Sequence, residues 1–160
     1  MSHPHQTAGN GHELVLERHI PVAPEKLFRA WTEPELMKQW FCPRPWTTPV
    51  IETDLRPGGA SFILMRGPNG EEMPNRGQYL EIVPGRRIVF TDAFVGDWQP
   101  SEKPFFTGVI SFEPDGAGGT RYTARARHWT AADCEHHEKM GFHQGWGVAT
   151  DQLAALAATL

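Results

Sequence analysis

Residues 134–146 read CEHHEKMGFHQGW and place one thiol, three imidazoles, two carboxylates and one thioether within thirteen positions. Such side chains bind metals or transfer protons. The nearest metal pattern is the zinc-protease sequence HExxH, in which two histidines four residues apart face one ion. His137 and Glu138 lack that second histidine, because His143 follows six residues after His137 and lies about 120° away around a helix. The stretch therefore does not predict a zinc-protease site.

A second pair of histidines in this stretch is also too far apart for one ion. His136 and His143 share a side of a helix, but seven residues are two turns, or about 10 Å, whereas zinc-nitrogen bonds are about 2 Å long. The sequence has no GxSxG nucleophile pattern and neither of the glycine-rich nucleotide patterns, Walker A and GxGxxG. We therefore predict neither a metal site nor a bound cofactor.

The carboxylates of Glu135 and Glu138 allow two interpretations. On one continuous helix they project on the side of the following apolar residues Phe142 and Trp146, whereas His137 points away. Two carboxylates three residues apart could act as acid and base if an apolar environment raised the pKa of one. Alternatively, they lie in solvent in the first turns of the helix, where the helix dipole favours acidic side chains. The residues alone leave both open.

His128 is the one histidine for which the pattern predicts an inward orientation. It ends the segment TRYTARARHW (120–129), in which arginines and threonine alternate with tyrosine and alanines, and it falls on the apolar side. An inward histidine is either a hydrogen-bonded core residue or, together with Glu135 or Glu138, an acid-base catalyst.

The elements that would position these side chains follow a clear order. A strand pattern at 13–20 precedes two short helical patterns at 21–31 and 32–41. Six strand patterns separated by turns rich in glycine, proline and asparagine then follow between 50 and 129. A helix is predicted from about residue 132 to the end, and the apolar residues that recur on one side of it are Phe142, Trp146, Ala149, Leu153, Leu156 and Leu160.

Such a helix would be about 40 Å long, enough to cross a small sheet. The order predicts an α+β fold, β-α-α-β6-α, with one long C-terminal helix packed across an antiparallel sheet. A chain of 160 residues fits one domain. We predict a single domain at 13–160 and a disordered tail at 1–12, whose histidines could chelate metal adventitiously.

Composition limits the partners and the compartment. Fifteen Lys and Arg against nineteen Asp and Glu give a net charge of -4, which disfavours nucleic acid as a partner. The sequence contains no apolar run long enough to span a membrane, and its N-terminus has no signal-peptide pattern. Cys42 and Cys134 form no CxxC pair, which is typical of reduced thiols. We therefore expect a cytoplasmic protein.

Four segments resemble one family. They are AWTEPELMKQWF (30–41), DLRPGGASFILMRGPNGEE (54–72), GQYLEIVPGRRIVFT (77–91) and GFHQGWGVATDQLAAL (141–156). Together with the element order, they resemble the START-like or SRPBCC superfamily, the helix-grip fold of Bet v-type plant allergens. The closest resemblance is to the branch named after the activator of the heat-shock-protein-90 ATPase (AHSA-like). The likeness extends over residues 13–160.

The resemblance implies a curved antiparallel sheet that grips the C-terminal helix around a deep hydrophobic cavity. Members bind lipids, polyketides, hormones or other apolar molecules, and some are cyclases or hydrolases. Mapped onto this sequence, the residues expected to line the cavity or to orient a ligand in it are Trp40, Ile63, Met65, Phe90, His128, Glu138, Met140, Phe142 and Trp146.

Three functions stay open on this evidence. The first is a carrier or sensor that binds a small, largely apolar molecule without catalysis. The second is an enzyme on the same fold that uses His128 with Glu135 or Glu138. The third is a stress-related module that binds a chaperone. The eukaryotic co-chaperone carries an additional N-terminal docking domain for which this chain has no room, so we do not expect its activity here.

One strand departs from the pattern of this branch. In SFILM (61–65), Phe62 and Leu64 occupy the face expected to point outward, where charged residues are usual. Exposed apolar patches often mark interfaces between proteins. The pattern therefore predicts a subunit contact or a covering loop, and a homodimer is the expectation that light scattering would test.

Overall fold

The chain folds in the predicted order of one strand, two helices, six strands and a C-terminal helical region. The computed structural model describes residues 12–160. The strands are β1 (Glu13–Ile20), β2 (Thr47–Thr53), β3 (Ala60–Arg66), β4 (Glu72–Val83), β5 (Arg87–Thr91), β6 (Phe106–Pro114) and β7 (Thr120–His128). The helices are α1 (Pro24–Thr32), α2 (Pro34–Met37), α3 (Ala131–Lys139) and α4 (Phe142–Ala157).

All seven strands belong to one curved antiparallel sheet in the order β1-β7-β6-β5-β4-β3-β2. The six later strands form consecutive hairpins, and β1 closes the sheet by pairing with β7 in a register that sets Leu16 opposite Ala124. The alternation predicted for β7 is confirmed, because Tyr122, Ala124 and Ala126 are buried. On the other face, Arg125 donates to the carboxylate of Glu13. The predicted α+β helix-grip architecture is confirmed.

The helices cover the inner face of the sheet. Pro24 occupies the first turn of α1, where its missing N–H leaves no hydrogen bond unmade. The buried face of α1 includes Leu27, Ala30 and Trp31. The indole N–H of Trp31 donates to the hydroxyl of Tyr122 over 3.0 Å, so the first helix is joined to the last strand inside the core.

The C-terminal region differs from the prediction in one respect, because it contains two helices. α3 starts at the N-cap residue Thr130, whose hydroxyl accepts from the backbone N–H of Asp133 over 3.1 Å. It ends before Gly141, which adopts the left-handed conformation with φ 95°. This residue interrupts the helical path, so α4 is about 24 Å long and has its own direction.

Contacts on two sides fix the position of α4. Asp151 accepts from the guanidinium of Arg18 on β1 over 2.8 Å. Gly147 permits this approach, since a Cβ there would lie 2.9 Å from a nitrogen of Arg18. On the other side, the amide of Gln152 donates to the carbonyls of Trp40 and Cys42 over 2.9 Å and 2.7 Å. The helix is thereby joined to β1 and to the segment after α2.

The apolar residues predicted to face outward on β3 are partly covered within the chain. The guanidinium of Arg76 on β4 lies 4.4 Å from the ring centre of Phe62, and Leu64 is half-buried between its cross-strand neighbours Val50 and Pro74. The side chain of Arg76 thus covers part of the apolar surface that a second subunit would otherwise bury. The homodimer stays a prediction.

The described part of the fold begins at His12. The carbonyl oxygen of His12 accepts from the backbone N–H of His128 over 2.8 Å, which extends the β1–β7 pairing by one residue. The predicted tail, including His3 and His5, otherwise lies outside the described residues. In the part of the chain that the structure describes, no helix is both long and apolar enough to cross a membrane.

Candidate functional site

Several large apolar side chains that pack on the core remain partly exposed to solvent. α4 packs mainly against α1, α3 and β1, which lie toward one edge of the sheet. The half-buried apolar side chains that pack on the core include Phe41, Met65, Phe90, Phe106 and Trp146. We call the region that these five side chains border the groove. Large apolar side chains that remain in contact with water can bind an apolar molecule.

A continuous series of aromatic rings forms the floor of the groove. Trp31 and Phe90 have ring centres 6.0 Å apart, and Phe90 and Phe106 are 6.1 Å apart. Phe106 then contacts Trp146 at 6.1 Å, and Trp146 contacts Phe142 at 4.6 Å. The rings join α1, the sheet and α4 in one aromatic cluster. An enclosed cavity stays a prediction.

Gly108 determines where one of these rings lies. A Cβ built at Gly108 on β6 would be 2.4 Å from the end of the Phe90 ring, so the ring lies directly over the glycine backbone. Any side chain at position 108 would displace the ring. Sequence reasoning missed Gly108, although an isolated glycine within a strand pattern is a known signal of such close approach.

A pair of histidines lies at one end of the groove. Nε2 of His128 and Nδ1 of His137 are 2.8 Å apart and form a buried hydrogen bond. Rings of Phe105, Phe106 and Phe142 surround His137 with centre separations of 5.0, 5.1 and 5.2 Å. The pair is therefore a polar contact within an aromatic environment.

The predicted orientations on α3 are wrong. His137, expected to point away from the sheet, is 8 % exposed, whereas Glu135 and Glu138, expected to face it, are exposed. The cause is Gly141: the apolar pattern of α4 cannot be projected back through a left-handed residue onto α3. Met140 lies beside the break and is 59 % exposed. Neither carboxylate is thus buried with His128, as the acid-base interpretation requires.

The environment of His137 keeps its imidazole uncharged. Burial in apolar surroundings lowers its pKa to about 4, and the neighbouring His128 and His136 add to the shift. At neutral pH the ring is therefore a neutral donor and acceptor of hydrogen bonds.

A carboxylate lies at the same end of the sheet. Asp92 accepts hydrogen bonds from the backbone N–H groups of Phe105 and Phe106 over 2.8 Å and 3.2 Å. Burial raises the pKa of Asp92 despite these bonds, and the nearby carboxylate of Asp133 adds to the rise. This end of the groove therefore disfavours additional negative charge.

The residues predicted to contact a ligand occupy three environments. Those buried in the core are Trp40, Ile63 and Phe142. Those half-buried along the groove are Met65, Phe90 and Trp146. The remaining three are His128, buried at the end of the groove, and Glu138 and Met140, exposed at the end of α3. Their part in ligand binding stays a prediction.

Trp40 shows why a buried aromatic residue need not line the groove. Its indole N–H donates to the carbonyl of Ala30 over 2.9 Å, and its ring packs against Trp31 and Phe41. The site residues that sequence reasoning missed are Phe41, Phe106 and His137. Phe106 could have been found from strand alternation, because it shares a face with Ile110 on β6.

Two other features of the described residues bear on the site. Within residues 12–160, no group of three or more His, Cys, Asp or Glu side chains is placed to hold a metal ion. A surface hollow of about 450 Å³ lies between α1 and the turn from β4 to β5, and its lining residues are Glu25, Phe28, Arg29, Pro84, Gly85 and Arg86. Three of its six lining residues are charged, and it lies at the end of β5 opposite Asp92, outside the aromatic series described above. We therefore place the candidate site in the groove.

Comparison with known proteins agrees with this fold. The family model described as Activator of Hsp90 ATPase homolog 1-like protein matches residues 21–158. Protein NE0264 of Nitrosomonas europaea is 39% identical, with 94% of this chain and 97% of that chain aligned and a TM-score of 0.89. Protein Ms6760 of Mycobacterium smegmatis is 26% identical over 90% and 89% of the two chains, with a TM-score of 0.75.

A third crystal structure, protein CV1439 of Chromobacterium violaceum, is 26% identical over 90% of this chain and 96% of that chain, with a TM-score of 0.74. Among curated proteins, none matches the sequence.

Proposed function

The chain belongs to the Activator of Hsp90 ATPase homolog 1-like family, and we propose that it binds a small, largely apolar molecule in the groove, as a carrier or sensor. The observation that carries the proposal is the run of ring contacts from Trp31 through Phe90 and Phe106 to Trp146, in which the last three side chains are half-buried.

Burial of apolar surface supplies the free energy of binding in this proposal. Each square ångström of apolar surface removed from water contributes about 25 cal/mol. A two-ring aromatic molecule that buries about 250 Å² in total would thus gain about 6 kcal/mol before the costs of association. Phe90, Phe106 and Trp146 offer ring faces for stacking, and Met65 offers a flexible wall.

Native mass spectrometry and thermal shift with neutral aromatic and aliphatic probes test this proposal. A probe at one hundred times its Kd stabilises the fold by about 3 kcal/mol, which raises Tm by about 5–10 °C in a chain of this size. Met65→Gln introduces a polar group into the groove and should weaken every probe. Met140→Gln is the matched control, because Met140 is 59 % exposed beyond the end of α3.

Equal effects of the two substitutions, or no stabilisation by any probe, would refute binding in the groove.

A protein-binding role is the second candidate and rests on a different surface. Leu55, Val95 and Trp98 are exposed, and Trp98 is 54 % exposed. The β5–β6 connection lies against the β2–β3 turn there, because the N–H of Asp97 donates to the carbonyl of Gly58 over 2.9 Å. Trp98→Ala should abolish capture of a chaperone or other protein partner if this role applies, and a pull-down that recovers no partner counts against it.

A further inference from the structure

The hydrogen bonds of His128 determine the proton positions on both histidines. Nδ1 of His128 lies 3.2 Å from the carbonyl oxygen of His12. A carbonyl oxygen only accepts hydrogen bonds, so Nδ1 of His128 carries a hydrogen. An uncharged imidazole has one N–H, and Nε2 of an uncharged His128 is therefore an acceptor.

The proton position on His137 follows from that on His128. Nε2 of His128 accepts across the 2.8 Å contact, so Nδ1 of His137 is the donor and carries the hydrogen of that ring. Nε2 of His137 is then left with a lone pair. Among residues 12–160, the side-chain hydrogen bond of His137 is the one at Nδ1, so Nε2 is available to an external partner.

The ring that carries this acceptor lies beside the apolar groove. The ring centre of His137 is 5.1 Å from that of Phe106 and 6.1 Å from that of Trp146, and both of these aromatic side chains border the groove. His137 is 8 % exposed, so water reaches the ring only through a small opening. A ligand that excludes water from this opening must replace the hydrogen bond that water makes to Nε2, because an unmade hydrogen bond is costly in apolar surroundings.

The charges near the pair select among possible donors. The carboxylate of Asp92 is bonded to the backbone of Phe105 and Phe106, whose rings touch His137, and Asp133 acts on it from α3. An anionic head group would meet repulsion from these carboxylates. A neutral hydroxyl group is not repelled by these carboxylates and can donate a hydrogen bond to a nitrogen lone pair.

Building on the proposed binding function of the groove, we infer that Nε2 of His137 accepts a hydrogen bond from the hydroxyl group of the bound molecule. The ligand class is thus a neutral alcohol or phenol with an apolar body, and neither a carboxylate nor an ether.

Three probes of one shape test this inference. 2-Naphthol can donate a hydrogen bond, 2-methoxynaphthalene cannot, and 2-naphthoate is an anion. Isothermal titration at pH 7.5 should give 2-naphthol a Kd about tenfold below those of the other two, which is typical of one buried neutral hydrogen bond. In His137→Asn, the shorter amide can still donate toward His128 but offers no group at the position of Nε2, so the preference should fall to about onefold.

His143→Asn is the matched control, because His143 is exposed on α4, and it should keep the tenfold preference. If 2-naphthol binds no better than its ether, or if 2-naphthoate binds best, the inference is overturned while binding in the groove stands. If none of the three binds, the proposed function fails with it. Nitrogen-15 NMR of the wild-type protein provides a second measurement that needs no variant: a hydrogen on Nδ1 of His137 supports the inference, and a hydrogen on Nε2 overturns it.

Discussion

Substitution of Gly108 by alanine should push an aromatic ring into the groove. The added Cβ would lie 2.4 Å from the end of the Phe90 ring, and ordinary contact begins at 3.4 Å, so the ring must move by about 1 Å. Such overpacking lowers the free energy of unfolding by about 1–3 kcal/mol, whereas alanine in a strand raises it by about 0.5–1 kcal/mol relative to glycine. The net cost is about 0–2.5 kcal/mol, so we expect Tm to fall by up to about 10 °C.

The displaced ring also takes space from a ligand. Binding of 2-naphthol should weaken by on the order of tenfold, the effect of about one methylene-sized change in an apolar pocket. Differential scanning fluorimetry and isothermal titration measure the two effects on the same samples. Gly145→Ala is the matched control: its Cβ meets no heavy atom within 4 Å, so the better helix former should raise Tm and leave binding unchanged.

A double-mutant cycle isolates the cause. In a Phe90→Ala background no ring opposes the new Cβ, so Gly108→Ala should be neutral or slightly stabilising. If Gly108→Ala lowers Tm equally in both backgrounds, the contact with Phe90 is not the reason, and the assigned position of the Phe90 ring in the groove is wrong.

Three further predictions concern other parts of the fold. Because burial lowers the pKa of His137 to about 4, the unfolded chain takes up a proton at a higher pH than the folded chain does. The free energy of unfolding should therefore fall by at most about 3 kcal/mol between pH 6.5 and pH 4. Urea unfolding measures this fall, which should be smaller in His137→Phe. Gln152→Ala leaves backbone carbonyls unpaired, so it should cost about 1–3 kcal/mol and speed thiol labelling of Cys42, whose pKa burial raises to about 11. Arg76→Ala uncovers the ring of Phe62, so light scattering should show more self-association of this variant than of the wild type. If the wild type and the variant are both monomeric at micromolar concentration, the homodimer prediction is wrong.

The strands could be predicted because their patterns are local. Alternation such as that of residues 120–128 identifies the buried face without knowledge of the neighbours, and the turns are marked by glycine, proline and asparagine. The covering of Phe62 by Arg76 could not be predicted, because it depends on the register between β3 and β4. Register joins residues distant in sequence, and one sequence does not report it.

The end of the groove was mispredicted for a single local reason. A lysine followed closely by glycine is a typical helix C-terminus, and Lys139 and Gly141 form that pattern. The apolar periodicity after Phe142 is strong, and extending it backward gave His137 and Glu138 opposite orientations to those observed. The bond between His128 and His137 further depends on the angle between β7 and α3, which no sequence pattern encodes.

NMR of the methionine methyl groups tests binding in the groove most directly. The chain has five methionines: Met65 is half-buried on the groove and pairs across the sheet with Met73, whereas Met140 is exposed beyond α3. Titration of the carbon-13-labelled protein with 2-naphthol should shift the methyl signal of Met65 most and that of Met73 less, while Met140 stays unchanged. A shift of Met140 alone, or no saturable shift of Met65, would contradict the assignment of the groove as the binding site.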